Sequence, residues 1–353
     1  MRATFLYGPG DARVADAPDP RIEEPTDALL RLLRTCVCGS DLHPYHSMRP
    51  NPQGVAMGHE YLGIVEEVGS EVGAVKPGDV VIVPFVFSCG VCDFCREGLQ
   101  TSCRLAGLQT SCRLAGLRTR LGAGGAQAEL LRAPLADGTL YPVDADGDSP
   151  LLASLLTLSD VYGTGFHAAL TGGASPETTV AVIGDGAVGL LAVLSARQLG
   201  ATRIILMGRH DARTDLGREF GATDVVATRG DEGIDEVRAL TGGDGCHVVL
   251  EAVGHLPAFE QALGVVRDGG RIARVGVPQY VEGPIGRSQF ARNVTITGGV
   301  APVRAYIDRL LPGILDGTVD PGRVFDVELP LEQAAEGYAL MDRRDALKVM
   351  LRP

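Results

Sequence analysis

The first 155 residues combine short apolar runs with frequent glycine and proline. The runs "YLGIVEEVG" and "DVVIVPFVF" have the length of a strand, are rich in β-branched residues and are bounded by turn residues. Strands of this length, separated by glycine and proline turns, are typical of compact β structure. The pattern therefore predicts a mostly β domain over residues 1–155.

From residue 156 to residue 295 the pattern changes to apolar strands that are followed by helical segments. The run "TTVAVIG" precedes "AVGLLAVLSARQLG", "RIILMG" precedes "TDLGREFG", and "HVVLEAVG" precedes "AFEQALGVV" and then "RIARVGVP". Alternating strands and helices build βαβ units around a parallel sheet. The predicted fold class is α/β, with a doubly wound parallel sheet over residues 156–295.

The remaining residues, 296–353, are too few to enclose a core of their own. They include "APVRAYIDRLLPGILDG", which predicts a helix that is stopped by proline and glycine. We expect this last segment to return to the first domain and pack against it.

Composition adds limits to this picture. A length of 353 residues favours two domains, and 45% hydrophobic with 22% charged residues is typical of a soluble globular protein. The net charge of −12 repels phosphate backbones, so we expect no nucleic-acid partner. The N-terminus lacks the apolar core of a signal peptide, and no apolar run reaches membrane-spanning length. These features predict a cytoplasmic protein without a membrane partner.

The segment "TTVAVIGDGAVGLLAVL" places a glycine turn between an apolar strand and a helix. Gly184 permits the tight turn, Gly186 lets the backbone approach a pyrophosphate, and Gly189 lets the helix pack closely on the strand. The phosphates would lie on the free N–H groups where the helix begins, at Ala187 and Val188. The strand before the turn and the βαβ units after it favour a dinucleotide site over a glycine-rich turn without a ligand.

The second strand of this domain, "RIILM", is followed by Gly208 and not by the acidic residue that would bind the ribose 2′-hydroxyl of NAD. Arg209, His210 and Arg213 come within the next five residues. Arginine can bind a 2′-phosphate, whereas a carboxylate would repel it. The sequence therefore predicts NADP(H) as the cofactor. The alternative is NAD(H), with the arginines in a solvated loop and Asp211 reaching the ribose.

Five of the eight cysteines lie between residues 89 and 112. Without a secretion signal, this grouping favours a metal site over disulfides. Four thiolates at short gaps suit a closed tetrahedral zinc that holds a loop, and the alternatives are a redox dithiol or an iron–sulfur cluster. The predicted ligands of this structural zinc are Cys89, Cys92, Cys95 and Cys103.

The segment "LQTSCRLAG" occurs twice without a difference, as residues 99–107 and 108–116. Each copy carries one cysteine, Cys103 or Cys112, and deleting either copy leaves the same string. A ligand at Cys103 keeps the gap after Cys95 short, whereas a ligand at Cys112 forces a loop to bulge inside the metal site. Lengthening a loop adds little to the entropic cost of closing it, so the packing of that bulge decides between the two cysteines. We predict Cys103 as the fourth ligand and keep Cys112 as the alternative.

A second set of metal-ligand residues lies in "CGSDLH" and "GHEYLGIVEEVG". Cys38, His59 and Glu60 offer a thiolate, an imidazole and a carboxylate, which are ligand types that zinc prefers. Ser40 and His43 lie within five residues of Cys38 and are candidates for a proton relay. The alternative for Ser40 and His43 is turn chemistry in the "GSD" loop.

Together these motifs resemble the zinc-dependent medium-chain alcohol dehydrogenases. The resemblance covers nearly the whole chain in order, from "CGSDLH", "GHEYLGIVEEVG" and "KPGDVV" through the cysteines to "GDGAVG". It implies a GroES-like, mostly β catalytic domain and a Rossmann domain. It also implies two zinc ions per subunit, one catalytic and one structural, and a homo-oligomer, either a tetramer or a dimer.

In this family the catalytic zinc has a third ligand, a cysteine or an aspartate, ahead of the nucleotide domain. Cys38 and His59 match the first two ligands, and no cysteine lies between residues 113 and 245. The resemblance therefore implies Asp160 in "LTLSDVYGTGFHAAL" as the third ligand, with Glu60 as a neighbour that can reach the metal. The alternative for Asp160 is a helix N-cap.

The activity that the resemblance implies is reversible oxidation of an alcohol to an aldehyde or ketone, with zinc as a Lewis acid. Ser40 would accept the hydroxyl proton and pass it by way of the nicotinamide ribose towards His43, while Asp41 would orient a ligand. A zinc-free, quinone-reductase-like enzyme is disfavoured because Cys38 and His59 are present. The remaining alternatives are a sugar or polyol dehydrogenase of the same architecture and a non-catalytic zinc-binding regulator.

One cysteine and two histidines receive no predicted role. Cys246 stands alone in "DGCHVVLEA" and is expected to be a small buried side chain on a strand. His46 and His167 are interpreted as ordinary loop and helix histidines.

A small-molecule alcohol or carbonyl compound is the expected partner.

Overall fold

The computed structural model describes residues 1–108 and 124–353. These residues divide into two compact units. One unit consists of Met1–Gly163 together with Pro302–Pro353, and the other consists of Thr164–Ala301. The last segment of the chain therefore belongs to the same unit as the first.

The elements of the described residues are as follows. The strands are β1 (Arg2–Gly8), β2 (Asp11–Asp16), β3 (Ala28–Cys36), β4 (Val55–Ala56), β5 (Tyr61–Val68), β6 (Val80–Val83), β7 (Leu130–Ala133), β8 (Tyr141–Val143), β9 (Thr179–Ile183), β10 (Arg203–Met207), β11 (Asp224–Val226), β12 (Cys246–Glu251), β13 (Val266–Arg274), β14 (Thr295–Gly298), β15 (Val327–Pro330) and β16 (Val349–Arg352). The helices are α1 (Leu42–Ser47), α2 (Asp93–Arg96), α3 (Ala136–Thr139), α4 (Leu152–Thr157), α5 (Val161–Gly172), α6 (Ala187–Gln198), α7 (Asp211–Phe220), α8 (Gly230–Leu240), α9 (Leu256–Val265), α10 (Arg287–Ala291), α11 (Ile307–Leu315) and α12 (Ala334–Arg343). Short 3₁₀ turns cover Gly39–Asp41, Gln100–Ser102, Val303–Tyr306, Pro321–Val324 and Leu331–Gln333.

The first unit is built on sheets that are antiparallel apart from the pair β15–β16. One sheet has the order β15-β16-β3-β5-β6-β8, with β7 paired to β3, and the other has the order β2-β1-β4. Strand β16 pairs with β3 at Leu351 and Thr35, which places the end of the chain beside the strand that leads to Cys38. The prediction of a mostly β first domain is confirmed.

The second unit contains a parallel sheet with the order β11-β10-β9-β12-β13-β14. Residues Val180, Ala181 and Val182 of β9 are buried, as a strand covered on both faces requires. The strand order reverses at β9, which lies between β10 and β12. Sheets of this type bind ligands at the carboxyl ends of the strands beside that reversal. The predicted doubly wound α/β fold class is confirmed.

One helix differs from its prediction. Helix α11 continues through Pro312 to Leu315, so the expectation that proline stops this helix is wrong. Packing of one apolar face offsets the backbone hydrogen bond that proline cannot donate. The helix ends before Gly317, whose φ of +74° is typical of glycine just past a helix terminus. The buried face consists of Ile307, Leu310, Leu311 and Ile314.

Helix length bears on the predicted absence of a membrane partner. Helices α5 and α6 have 12 residues each, whereas a spanning helix needs about 20 apolar residues. In the described ranges, no helix has both the length and the apolar character to cross a membrane.

Candidate metal sites and cofactor site

Four metal-ligand side chains from three separate parts of the sequence meet in the first unit. Cys38 follows β3, His59 and Glu60 precede β5, and Asp160 lies between α4 and α5. Each side chain offers one ligand atom, and these four atoms lie within 4.8 Å of one another. The structure therefore brings the expected ligands of the catalytic zinc together with Glu60.

The His59 imidazole lies between two carboxylates. Its Nε2 is 3.5 Å from Oδ2 of Asp160, and its Nδ1 is 3.5 Å from Oδ1 of Asp41. Asp41 is buried, and its Oδ2 accepts a hydrogen bond from the N–H of Cys38 at 3.0 Å. Burial raises the pKa of Asp41, and the charge of His59 opposes that rise. A carboxylate behind an imidazole fixes the ring orientation of a ligating histidine, which is the role expected of Asp41.

A glycine contact holds the turn that carries His59. Gly58 has a φ of +96°, and a Cβ at this position would come within 2.5 Å of the backbone N of Gln127. The Gly58 carbonyl accepts a hydrogen bond from Ala126 at 2.9 Å, and the Met57 carbonyl accepts one from Gln127 at 2.9 Å. This close backbone contact, which a side chain at residue 58 would prevent, fixes the turn against the segment before β7.

Gln127 also supports Asp41 through its side chain. Its Nε2 donates to Oδ2 of Asp41 at 3.3 Å and to the carbonyl of Cys36 at 3.0 Å, and its Oε1 accepts a hydrogen bond from the Tyr338 hydroxyl at 3.1 Å. Gln127 and Tyr338 are both fully buried. The sequence reasoning missed both residues. The available signal was a polar side chain among small residues in "GAGGAQAE".

Glu60 forms an ion pair with a buried lysine. The Nζ of Lys348 donates to Oε1 of Glu60 at 2.7 Å, and both side chains are buried. Burial lowers the pKa of Lys348, but the neighbouring thiols and Glu60 outweigh this effect and raise the pKa well above its usual value. Oε2 of Glu60 is buried and has no hydrogen-bond partner in the described part of the chain. Burying a carboxylate oxygen without a hydrogen-bond partner destabilises the folded protein unless a cation contacts that oxygen.

This donor set fits a zinc ion. A thiolate, an imidazole and a carboxylate are the ligand types of catalytic zinc sites, which keep one position open for substrate. Oε2 of Glu60 gives the cluster a further oxygen that positive charge would stabilise. Ser40 lies two residues after Cys38, and its buried Oγ has no partner among residues 1–108 and 124–353. His43 lies on α1, where its carbonyl accepts a hydrogen bond from Ser47 at 2.8 Å.

The four cysteines of the expected structural zinc lie in one lobe. Their sulfurs lie within 4.8 Å of one another. The sulfurs of Cys92 and Cys95 are 3.5 Å apart, and those of Cys89 and Cys95 are 3.9 Å apart. A zinc–sulfur distance of about 2.3 Å places two sulfurs of a tetrahedron about 3.8 Å apart. The lobe therefore has the spacing of a closed zinc site, with Cys103 as its fourth sulfur.

Backbone N–H groups surround these sulfurs. The Cys103 sulfur accepts hydrogen bonds from the N–H groups of Cys89 at 3.3 Å and Ala106 at 3.5 Å. N–H groups of Arg104 and Cys95 lower the pKa of Cys92 to about 6, whereas burial raises the pKa of Cys95 to about 12. Hydrogen bonds to sulfur stabilise the thiolate form, which is the form that binds a metal.

The alternative ligand Cys112 lies in residues 109–123, outside the described residues. We expect Cys112→Ser to keep both zinc ions, because Cys103 already completes the group of four sulfurs. Cys103→Ser should lower stability and be partly rescued by Cys112, since the duplicated segment gives both cysteines the same neighbours. The double variant should lose the structural zinc outright. Elemental analysis of each purified variant measures this, and loss of that zinc in Cys112→Ser alone would contradict the choice of Cys103.

The glycine turn between β9 and α6 has the contacts that a dinucleotide site requires. Gly184 has a φ of +111°, and a Cβ at Gly189 would lie 1.9 Å from the Gly184 carbonyl oxygen. A Cβ at Gly186 would meet nothing within 4 Å. Gly189 is thus needed for close packing, while Gly186 leaves open space before Ala187 and Val188 at the start of α6. Open space in front of helix N–H groups is what a pyrophosphate site requires at this turn.

The residues expected to bind a 2′-phosphate follow the end of β10, and they are Gly208, Arg209, His210 and Arg213. Arg209 is exposed, and Arg213 is partly buried in the first turn of α7. Asp211, the alternative ribose ligand, is the first residue of that helix. A carboxylate that the sequence reasoning missed also lies here, since Oδ2 of Asp185 is 2.8 Å from Nδ1 of His210.

The residues without a predicted role have ordinary structural positions. Cys246 is buried on β12, as predicted, and burial raises its pKa to about 12. Nε2 of His46 lies 2.5 Å from Oδ1 of Asp342 at the surface. His167 is buried on α5, and this burial lowers its pKa.

Comparison with known proteins places this chain in a family. Residues 24–144 match the alcohol dehydrogenase GroES-like domain, and residues 187–312 match the zinc-binding dehydrogenase domain. A zinc-type alcohol dehydrogenase B of Aspergillus flavus is 33% identical over 100% of this chain and 81% of its own length. An uncharacterized zinc-type alcohol dehydrogenase-like protein of Bacillus subtilis is 34% identical over 100% of both chains. A sorbitol dehydrogenase of Bacillus subtilis is 28% identical over 100% of this chain and 97% of its own length.

Solved structures agree with these relatives. The alcohol dehydrogenase TADH from Thermus sp. ATN1 has a TM-score of 0.88 at 35% identity, covering 100% of this chain and 99% of its own. A zinc-binding dehydrogenase from Sinorhizobium meliloti, solved with NADP bound, has a TM-score of 0.80 at 26% identity, covering 100% and 99%. The fold, the order of the domains and the identity over the full length agree, and this chain belongs to the zinc-dependent alcohol dehydrogenases of the medium-chain dehydrogenase family, which are oxidoreductases.

Proposed function

We propose that this chain catalyses the reversible oxidation of an alcohol to an aldehyde or ketone with a nicotinamide cofactor, and that Cys38, His59 and Asp160 hold the zinc that this reaction uses. The observation that supports this proposal most strongly is the buried cluster of four ligand atoms within 4.8 Å, formed from three separate parts of the sequence. A zinc held there would supply a Lewis acid for the substrate oxygen, and a bound nicotinamide cofactor would supply the hydride chemistry.

The neighbouring residues of the chain orient this site. Asp41 lies behind His59 and directs Nε2 of the imidazole towards Asp160. Lys348 holds one oxygen of Glu60 and leaves the other oxygen for the cluster. Glu60 thereby adds negative charge beside the proposed zinc ligands, while the hydrogen bond from Lys348 restrains its side chain.

Ser40 is the proposed acceptor of the substrate hydroxyl proton. Its Oγ is buried without a partner in the described residues, so the hydroxyl can both accept from the substrate and donate onward. His43 follows on α1 and is proposed to pass the proton on to solvent. The cysteine lobe is proposed to bind a second, structural zinc, which gives two zinc ions per subunit.

The experiment that tests this function is a screen of primary alcohols, secondary alcohols, polyols and their carbonyl products with NADP(H) and NAD(H). Zinc should be measured in protein purified without added metal, then removed with a chelator and added back. We expect turnover that is lost on removal and restored by zinc. Well-folded protein without turnover on the whole panel would favour the alternative of a non-catalytic zinc-binding regulator. The similarity to a sorbitol dehydrogenase keeps polyols as the second candidate substrate class.

NADP(H) is the proposed preferred cofactor. The end of β10 is followed by Gly208 and not by an acidic residue, and exposed Arg209 provides a guanidinium for a 2′-phosphate. We expect Arg209→Ala to weaken NADPH binding about tenfold to a hundredfold and to change NADH binding little, because only NADPH has the phosphate.

Fluorescence titration of both cofactors measures this effect. Arg218→Ala is the matched control, since Arg218 is an exposed arginine in the last turn of α7, the helix that follows Arg209. Equal weakening of both cofactors in Arg209→Ala would contradict the proposed role of Arg209. The cytoplasmic location and the homo-oligomer stay predictions.

A further inference from the structure

Asp185, the second residue of the glycine turn, connects that turn to the end of the neighbouring strand. Its Oδ2 accepts hydrogen bonds from the backbone N–H of Arg209 at 2.9 Å and from the backbone N–H of His210 at 3.0 Å. The same oxygen lies 2.8 Å from Nδ1 of His210. One carboxylate oxygen is therefore held by three contacts with the two residues that follow Gly208.

The Asp185 side chain occupies the space in which a side chain at Gly208 would lie. A Cβ at Gly208 would come within 2.6 Å of the Asp185 Cβ and 2.9 Å of its Oδ2. In dinucleotide-binding domains an acidic residue near this strand end, about 20 residues after the glycine turn, binds the ribose 2′-hydroxyl. Here the strand is followed by a glycine, and a carboxylate reaches the same place from the glycine turn.

This carboxylate is charged and still has a free acceptor. Burial raises the pKa of Asp185, but the hydrogen bonds from His210 and Arg209 outweigh burial and lower it overall. The side chain keeps 11% of its surface exposed. Among residues 1–108 and 124–353, no hydrogen bond falls on Oδ1. A ribose hydroxyl that approaches the strand end can therefore donate to Oδ1.

We propose that Asp185 is the residue that binds the adenosine ribose and limits discrimination between the two nicotinamide cofactors. Its Oδ1 accepts a hydrogen bond from the ribose hydroxyl of NAD(H). Its negative charge repels the 2′-phosphate of NADP(H), and its Oδ2 occupies the two backbone N–H groups that such a phosphate would otherwise contact.

Asp185 and Arg209 thus have opposite effects on cofactor choice. Arg209 favours the 2′-phosphate, whereas Asp185 favours the free hydroxyl, so the chain binds both cofactors with moderate discrimination. This inference rests on the proposed function only in requiring a nicotinamide dinucleotide at the glycine turn. It does not depend on which alcohol is oxidised.

The test is a titration of NADPH and NADH into the zinc-loaded protein without substrate, followed by nicotinamide fluorescence. Asp185→Asn keeps the shape of the side chain and removes its charge. We expect it to raise the ratio of the NADH to the NADPH dissociation constant about tenfold or more. Asp185→Ala should change the ratio in the same direction. Asp215→Asn is the matched control, because Asp215 is an exposed carboxylate on α7.

A relocation variant tests the position of the charge separately from the fold. Asp185→Gly combined with Gly208→Asp puts a carboxylate back at the strand end, because the glycine removes the Asp185 Cβ that a Cβ at Gly208 would meet at 2.6 Å. This double variant should recover the NADH affinity that Asp185→Gly alone loses. Recovery would support a ribose contact, since a residue that only held the loop together would not be replaced in this way.

Two other results would overturn the proposal. Equal weakening of both cofactors in Asp185→Asn and Asp185→Ala would mean that Asp185 only fixes the loop. A fall in the ratio would mean that the carboxylate arranges the loop for the 2′-phosphate. If the unsubstituted protein binds neither cofactor, the proposed function itself fails, and this result is distinct from both.

Discussion

The Asp160→Ala variant is expected to lose at least about 10³-fold in kcat/KM while NADPH and NADH still bind. Asp160 is the third ligand type of the buried cluster, and its Oδ2 lies 3.5 Å from Nε2 of His59. Glu60 is a poor replacement for Asp160 as a ligand, because the hydrogen bond from Nζ of Lys348 to Oε1 of Glu60 at 2.7 Å restrains the Glu60 side chain. Lewis-acid stabilisation of the transition state is worth several kcal/mol, and about 1.4 kcal/mol corresponds to a factor of ten in rate.

The control for Asp160 is Asp160→Asn. Asparagine caps a helix about as well as aspartate, and losing a cap altogether costs about 1 kcal/mol of stability. If Asp160 were only a cap before α5, Asp160→Asn would keep nearly full activity and Asp160→Ala would lose only stability. If Asp160 is a ligand, both variants lose activity and the zinc content of the catalytic site. Steady-state kinetics and elemental analysis of the two variants separate these outcomes. An active Asp160→Ala enzyme would exclude Asp160 as a zinc ligand.

The sequence was most informative where the chemistry is local. Strand β9, the glycine turn and helix α6 follow one another within "TTVAVIGDGAVGLLAVL", so the sequence alone predicts a role for each glycine. The steric contacts at Gly184 and Gly189 agree with those roles. The sulfurs of Cys89, Cys92 and Cys95 are similarly close in sequence, and their short gaps already restrict them to one loop.

Residues that support the site from far along the chain could not be found in this way. Lys348 is 288 residues from Glu60, and the two meet because β16 pairs with β3, the strand that leads to Cys38. Nothing in "DALKVMLRP" marks this lysine as buried. Tyr338 reaches Gln127 across 211 residues for the same kind of reason. Such contacts depend on how strands pair and helices pack, and a single sequence does not contain that pairing.

Asp185 was missed for a different reason. Its position inside the glycine turn is obvious in the sequence, but the ribose contact was sought at the end of the next strand. The side-chain direction that brings its carboxylate beside Gly208 depends on the parallel pairing of β9 with β10. Sequence spacing alone therefore points to this strand end, but it does not show that the Asp185 carboxylate lies beside it.

A second large effect is expected from Lys348→Met, which should lower the free energy of unfolding by about 3–5 kcal/mol. Methionine matches the length of lysine, so the main change is the loss of charge. Glu60 would then be a buried carboxylate whose Oε1 has lost the Lys348 contact and whose Oε2 has no hydrogen-bond partner within the described ranges. Urea denaturation of the zinc-loaded protein measures the change.

The double variant Glu60→Gln with Lys348→Met should recover most of that loss, because neither charge is then left buried alone. Lys76→Met is the surface control, since Lys76 forms a 3.0 Å ion pair with Asp79 while 81% of its side chain is exposed. An exposed pair of this kind contributes about 0–1 kcal/mol. A loss in Lys348→Met no larger than that in Lys76→Met would mean that water reaches Glu60, so that its carboxylate is not left without a partner when the lysine is removed.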